Sequence, residues 1–287
     1  MKNQYSLEPL TVIGCAPPEM THIAARAGYD YVSFRLIPMG VPGEVACLPE
    51  DKAMIRQTKD ALKETGVKVH DLELARILKD VEPVSYVPAM EVAAELGAKH
   101  LISSAWTGER DDRDFVVERY AEICDLARPF GLTVSLEFPS FSRLTNLQEA
   151  ADIVRAAGCA NCGILIDTLY FQMSQVSLDE IAALPREWFH FLHICDTHAD
   201  IPATREGLIH IARDERLYLG EGCIDFASLV KILPGMIYAI ELPNLKRVKE
   251  LGYEDDARRC LDAARHCLDP LAGEKSPLNA SAHSFLL

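Results

Sequence analysis

Residues 132–138 read Leu-Thr-Val-Ser-Leu-Glu-Phe and residues 162–168 read Cys-Gly-Ile-Leu-Ile-Asp-Thr, two short β-rich runs that each carry a carboxylate next to their last residue. Between them, residues 147–157 place apolar side chains at helical spacing. A strand, a helix and a second strand in this order form a parallel crossover, since antiparallel neighbours need only a tight turn. The unit repeats in both directions. Upstream, the strands are residues 10–14, 29–37, 67–74 and 100–106, and the helices are residues 17–27, 48–65, 86–96 and 115–130. The first helix opens on Pro17 and closes at Gly28, and the second closes at Gly66, as first-turn proline and post-helix glycine favour. Downstream, helix 178–188 leads to strand 189–195, helix 226–233 leads to strand 236–242, and helix 253–268 covers that last strand. Eight parallel strand and helix units over about 250 residues predict a closed (β/α)8 TIM barrel, an α/β fold, because open doubly wound sheets stop nearer about six strands. This gives a single barrel domain over residues 1–270 and a loose tail over residues 271–287. One long polar connection, residues 196–224, is expected to form a lid or wall over the active face.

Of the 287 residues, 49% are hydrophobic and 25% charged, the balance of a globular chain with a full core. Acidic side chains outnumber basic ones 43 to 29, for a formal charge of -14. Such a field repels phosphate backbones and anionic lipid, which argues against nucleic-acid and membrane-surface partners. No apolar run reaches the ~20 residues of a spanning helix. Residues 1–10 lack the basic-then-apolar layout of a secretory signal, so a cytoplasmic location is expected. The nine cysteines are odd in number and scattered, and read as reduced thiols. Cys159 and Cys162 form a C-x-x-C in a turn, without the second cysteine pair of a zinc finger.

In a barrel of this kind the chemistry sits at the carboxyl ends of the strands. Four consecutive strand ends carry Glu137, Asp167, His193 and Glu241. Alternation along the fifth strand turns Thr133, Ser135 and Glu137 inward and leaves Val134 and Leu136 against the helices. A buried carboxylate loses its hydration without return unless a partner or a metal replaces it, so three of them beside an imidazole at adjacent strand ends point to one cation. Three carboxylates and an imidazole form a mostly hard ligand set, suited first to Mn2+ or Mg2+ and able to take Co2+ or Zn2+. Arg35 and Arg76 lie near the ends of strands two and three, with Glu73 inside the third. The two guanidinium groups either clamp an anionic substrate group or pair with a neighbouring acid such as Glu73. Trp106, which ends the fourth strand, either stacks on the substrate or covers core. Asp196 and His198 follow His193 closely enough to support it or to reach the substrate. His22, His70, His100 and His190 lie away from the rim and read as surface or packing residues.

The ordered motifs Leu-Glu-Phe at 136–138, Ile-Asp-Thr at 166–168, His-Ile-Cys-Asp at 193–196, Gly-Glu-Gly-Cys-Ile-Asp at 220–225 and Ile-Glu-Leu at 240–242 resemble the xylose isomerase-like TIM-barrel superfamily, in particular its small sugar isomerases and epimerases. The resemblance implies that Glu137, Asp167, His193 and Glu241 ligate one divalent metal. It implies that Glu137 and Glu241 are also the acid/base pair on opposite faces of the substrate, and that Arg216 contacts substrate or pins its loop. Tyr170 stands three residues after Asp167, where family members commonly carry a histidine that touches a substrate oxygen. That departure and the acidic charge argue against the superfamily's DNA-repair branch. The implied chemistry is proton removal beside the carbonyl of a small polyol, ketose or sugar acid, through a metal-stabilised enediolate. Returning the proton to the other face epimerises, returning it to the neighbouring carbon isomerises, and expelling a β-hydroxyl dehydrates. An isomerase or epimerase is the expected class. The alternative is a lyase, either a dehydratase of inosose or dehydroshikimate type or a decarboxylase of a sugar-derived keto acid. A homo-oligomer is compatible with either.

Overall fold

Nine short strands run parallel around a ring: β1 (Gln4–Leu7), β2 (Tyr31–Arg35), β3 (Lys68–Ile77), β4 (His100–Ala105), β5 (Thr133–Glu137), β6 (Cys162–Ile164), β7 (Ile166–Asp167), β8 (Leu192–Ile194) and β9 (Ile237–Ile240). The computed structural model describes residues 2–108 and 110–272. Neighbours follow the order β6-β5-β4-β3-β2-β1-β9-β8-β7. β6 and β7 are halves of one stave, parted at Leu165, whose N–H donates to the Leu136 carbonyl (3.1 Å). The nearly closed ring therefore has eight staves among the described residues, the expected TIM barrel. Outside it lie α1 (Pro17–Ala27), α2 (Lys52–Thr65), α3 (Val87–Leu96), α4 (Arg113–Ala127), α5 (Leu147–Ala157), α6 (Thr168–Met173), α7 (Leu178–Ala182), α8 (Arg205–Asp214), α9 (Phe226–Ile232), α10 (Leu245–Leu251) and α11 (Tyr253–Leu268).

Alternation decides which side chains meet. Val32, Phe34, Leu101, Val134 and Leu136 point outward into the main core beneath the helices. α5 supplies a matching stripe of Leu147, Ala150, Ala151, Ile153 and Val154, capped by the Asn146 side chain on the Glu149 N–H (3.0 Å) and closed at Gly158 (φ 61). Inside the barrel the side chains form layers. The amino-terminal end holds His70, His100 and His190 under Phe191, with ring centroids 4.8 Å apart for His70 and His100 and 5.6 Å for His100 and His190. Thr133 and Ser135 point inward as expected and bond these rings, at 2.7 Å to His100 and 3.0 Å to His190. Burial, then neighbouring rings, push His100 down to about 2; burial, then Arg186, pushes His190 down to about 4; both stay neutral at pH 7. Above them Leu74, Ile102, Leu165, Phe191 and Ala239 make an apolar layer, and the polar cluster sits on top.

One contact in the lower layer gives a direct test. A Cβ on Gly163 would overlap the Trp188 carbonyl oxygen and come within 2.5 Å of His190 Cε1. Gly163→Ala is expected to destabilise the barrel by about 1–3 kcal/mol. A thermal melt checks it, and an unchanged Tm would mean that the Trp188 backbone and the His190 ring both move aside without loss.

Some expected elements are placed differently. Residues 10–14 form turns rather than the first strand, which is Gln4–Leu7. Thr11 closes the barrel end there, its hydroxyl donating to the Ile240 carbonyl (2.7 Å) and accepting from the Leu242 N–H (2.9 Å). α2 starts at Lys52 instead of residue 48, because Asp51 caps it through the Met54 N–H (2.9 Å). Helix 178–188 is cut to α7 and a short 3-10 turn at Arg186–Trp188. The 196–224 connection is not a bare polar loop: it carries α8 and an antiparallel bridge between Asp196 and Leu217. From Gly273 onward, the expected tail lies outside the described residues. No helix among the described residues is long and apolar enough to cross a membrane, and the nine cysteines are free thiols.

Candidate metal centre and substrate pocket

Each of the four expected ligands sits where a stave ends. Glu137 and Asp167 are the last residues of β5 and β7, His193 is central in β8, and Glu241 follows β9. Strand register sets Asp167 beside His193, and His193 beside Ala239, two residues before Glu241. One donor atom from each of the four lies within 4.8 Å of all the others, and every residue is buried. An ion bonded at about 2.0–2.2 Å holds its donors roughly 3–4 Å apart, so small adjustments convert this arrangement into a coordination shell. His193 Nδ1 is 3.5 Å from Glu241 Oε2 and 3.8 Å from Glu137 Oε1, yet neither ring nitrogen has a hydrogen-bond partner. Buried polar atoms are normally satisfied, and a cation on the Nδ1 side would satisfy this one. The cluster can therefore hold a metal.

Electrostatics is consistent with the same capacity. Five buried carboxyl groups, Glu8, Glu73, Glu137, Asp167 and Glu241, face two buried guanidinium groups, Arg35 and Arg216. Burial, reinforced by neighbouring carboxylates, drives Glu8 and Glu137 well above the usual carboxylate range. Burial lifts Asp167 to about 6 against Arg216, and Glu73 to about 7 against Arg35. Glu241 moves the other way: burial opposes its charge, but Arg216 and His193 hold it well below the usual range. At His193 burial disfavours the imidazolium, and Glu241, Glu8 and Glu137 outweigh it and raise the ring well above its usual value. This much negative charge in a buried pocket is balanced by protons or by a cation, and three carboxylates with one imidazole suit a divalent ion.

Arg216 is the buried cation of the cluster. Its Nη1 donates to Asp167 Oδ2 (2.7 Å) and the Glu241 carbonyl (2.9 Å), its Nη2 contacts Glu241 Oε2 (2.9 Å), and its Nε donates to the Ala212 carbonyl (2.9 Å). It thus pins two prospective ligands and the segment that carries α8. The Tyr170 ring lies 5.6 Å from the Arg216 guanidinium and edge-on to Phe141 (5.8 Å), which in turn packs on Trp106 (5.8 Å). Trp106 Nε1 is already bonded to Ser104 Oγ (2.7 Å), so the ring body is what it offers. These aromatics, with Arg35, Glu73, Arg216 and three of the four clustered ligands, line a narrow cavity of about 50 Å³.

Other expected site residues are placed elsewhere. Arg35 pairs with its register neighbour Glu73 and lies 3.4 Å from Glu44, which follows the ion-pair reading rather than the anion clamp. Arg76 does not line the cavity; its guanidinium donates outside it to the Pro38 carbonyl (3.3 Å). His198 is exposed and outside the cavity, because β8 ends at Ile194 and the following turn carries it outward. That turn is organised by Asp196, whose carboxylate accepts from the N–H groups of Thr197, Gly220, Gly222 and Ile224. Asp196 is a loop-folding residue and does not support His193. Sequence reading missed Glu8, Glu44 and Arg213. Glu8 is legible in the alternation Tyr5-Ser6-Leu7-Glu8 once the strand is placed at Gln4–Leu7. Glu44 ties the loop over the pocket through the Met39 and Gly40 N–H groups, and Arg213 reaches the mouth from the unforeseen α8.

An inosose isomerase of Bacillus velezensis is 25% identical over 173 residues, covering 58% of this chain and 54% of its own length. An L-ribulose 3-epimerase of Mesorhizobium japonicum is 24% identical over 209 residues, covering 72% of this chain and 59% of its own. The chain thus spans a little over half the length of these curated relatives. Among solved structures, the IolI protein with a bound zinc atom superposes with a TM-score of 0.78 over 95% of this chain and 100% of its own, at 18% identity. A D-allulose 3-epimerase from Methylomonas sp. in complex with D-allulose gives 0.67 over 92% and 97%, at 19% identity. Those structures share the fold. The family profile described as xylose isomerase-like TIM barrel matches residues 22–264, a stretch that includes all four converging side chains, and the chain belongs to that family.

Proposed function

We propose that this protein is a divalent-metal-dependent isomerase or epimerase of a small sugar or sugar-derived acid. The convergence of Glu137, Asp167, His193 and Glu241 on one point carries the reading, and the activities of the inosose isomerase and ribulose epimerase relatives support it. These four residues would hold the metal, Mn2+ or Mg2+ by the hardness of the set, with Co2+ or Zn2+ also accommodated. The ion supplies Lewis-acid stabilisation of charge developing on the substrate oxygens. Glu137 and Glu241 approach from β5 and β9, with two staves between them, so one carboxylate can take the α-proton while the other returns it elsewhere. Arg216 fixes the Glu241 carboxylate in place. Trp106, Phe141 and Tyr170 form an aromatic wall that excludes water and shapes the space beside the carbon being deprotonated, and Arg35 with Glu73 offers polar atoms to substrate hydroxyls.

A lyase acting on an acidic substrate would suit Tyr170 together with a carboxylate clamp of Arg35 and Arg76. Arg35 is engaged by Glu73 and Glu44, and Arg76 lies outside the cavity, which favours the isomerase or epimerase. Metal analysis of protein purified without chelator is expected to give about one divalent ion per chain, as a single four-ligand site requires. In heavy water the loaded enzyme should wash deuterium into the α-position of an inosose or ketose. Protein that takes up no ion after soaking in Mn2+ would overturn the proposal.

A further inference from the structure

We propose that Glu8 is a positioning residue for the metal centre: it accepts a hydrogen bond from His193 Nε2–H and thereby commits Nδ1 to the metal. The inference rests on the metal reading above. Glu8 follows β1, and its N–H donates to the Ile240 carbonyl (3.2 Å), the residue before Glu241. Its side chain points into the barrel at 0% exposure, and neither carboxyl oxygen has a hydrogen-bond partner. His193 Nε2 also lacks a partner and lies 3.8 Å from Glu8 Oε2, while Nδ1 faces Glu241 and Glu137. The ring therefore stands between the carboxylates of Glu137 and Glu241 on one side and one otherwise unused carboxyl group on the other.

A neutral imidazole has one N–H and one lone pair. Ligation through Nδ1 places the hydrogen on Nε2, and in a dry interior that hydrogen needs an acceptor. A charged or neutral Glu8 carboxyl oxygen serves equally, after an approach of about 1 Å to hydrogen-bond distance. Outer carboxylates of this kind fix the tautomer and orientation of metal-binding histidines. Glu8, Glu73 and His193 also bring donor atoms within 4.8 Å of one another, which raises the question of a second ion. Two features oppose it: Glu73 is already paired with Arg35, and a neutral imidazole has no second lone pair to give.

The test compares chelator-stripped wild type, Glu8→Gln and Glu8→Leu. Calorimetric Mn2+ titration is expected to show about a 10–100-fold weaker site in Glu8→Leu, with one ion per wild-type chain. Glu8→Gln, whose amide oxygen still accepts from Nε2–H, should retain most of the affinity. Long-range proton–nitrogen spectra of Zn2+-loaded wild type should show His193 protonated at Nε2 and ligated at Nδ1. Unchanged affinity in folded Glu8→Leu, the opposite tautomer, or a second ion lost with Glu8 would each overturn the assignment. If Glu8→Leu fails to fold, the wild-type tautomer decides. Wild type that binds no ion would instead overturn the metal reading itself.

Discussion

Glu241→Gln is expected to slow α-proton exchange by about two to four powers of ten, the contribution of a positioned general acid or base. Glutamine keeps the shape of the side chain but cannot take a proton. Its amide oxygen can still accept from Arg216 Nη2, now 2.9 Å from Glu241 Oε2, so the barrel should fold. The substitution also removes one negative ligand from the cluster, and metal content separates the two effects. A variant that holds Mn2+ at saturation and no longer washes deuterium into substrate has lost the base. A variant that exchanges normally removes Glu241 from the mechanism and leaves Glu137 to act alone.

Why Glu241 was legible in the sequence, and Glu8 was not, is a matter of local signal strength. The strands that carry Glu137, Asp167, His193 and Glu241 are apolar runs that end on a polar residue, and the alternation of a pleated strand then fixes which side chains point inward. Crossover helices such as α1, α5 and α11 have the expected bounds because proline, glycine and capping side chains mark their ends. The first strand lacked such a signal. Tyr5-Ser6-Leu7 is short, and the apolar residues of 10–14 looked more strand-like until tertiary contacts of Thr11 turned them into a closing loop. Moving the strand brought Glu8 into the barrel. His198 and Arg76 lie outside the cavity for a different reason. Spacing along the chain sets direction only while a strand lasts, and both lie where the backbone leaves the ring: a turn gathered by Asp196 carries one outward, and the Pro38 carbonyl draws the other away. Arg216 has no local periodicity at all. Its position depends on the bridge between Asp196 and Leu217, a contact that only the folded chain contains.

That position gives Arg216 a large expected share in stability. Its guanidinium is 1% exposed and neutralises Asp167 and Glu241 at once, while its Nε holds the Ala212 carbonyl and its own carbonyl accepts from Asn244 Nδ2 (3.1 Å). Arg216→Met fills similar space but leaves two buried carboxyl groups without their cation. Removing one partner of a buried ion pair is expected to cost about 3–5 kcal/mol, measured by urea unfolding with chelator present so that no metal takes over the lost charge. The segment that carries α8 should also become more open to protease, because Arg216 ties it to the barrel. A second substitution tests the electrostatic origin. Asp167→Asn in the Arg216→Met background removes one of the stranded charges, so the double variant should lose clearly less than the sum of the single losses. Strict additivity would mean that the guanidinium acts by packing alone. A cost below about 1 kcal/mol for Arg216→Met, the scale of an exposed pair, would mean that water reaches the cluster and that the pocket is not dry.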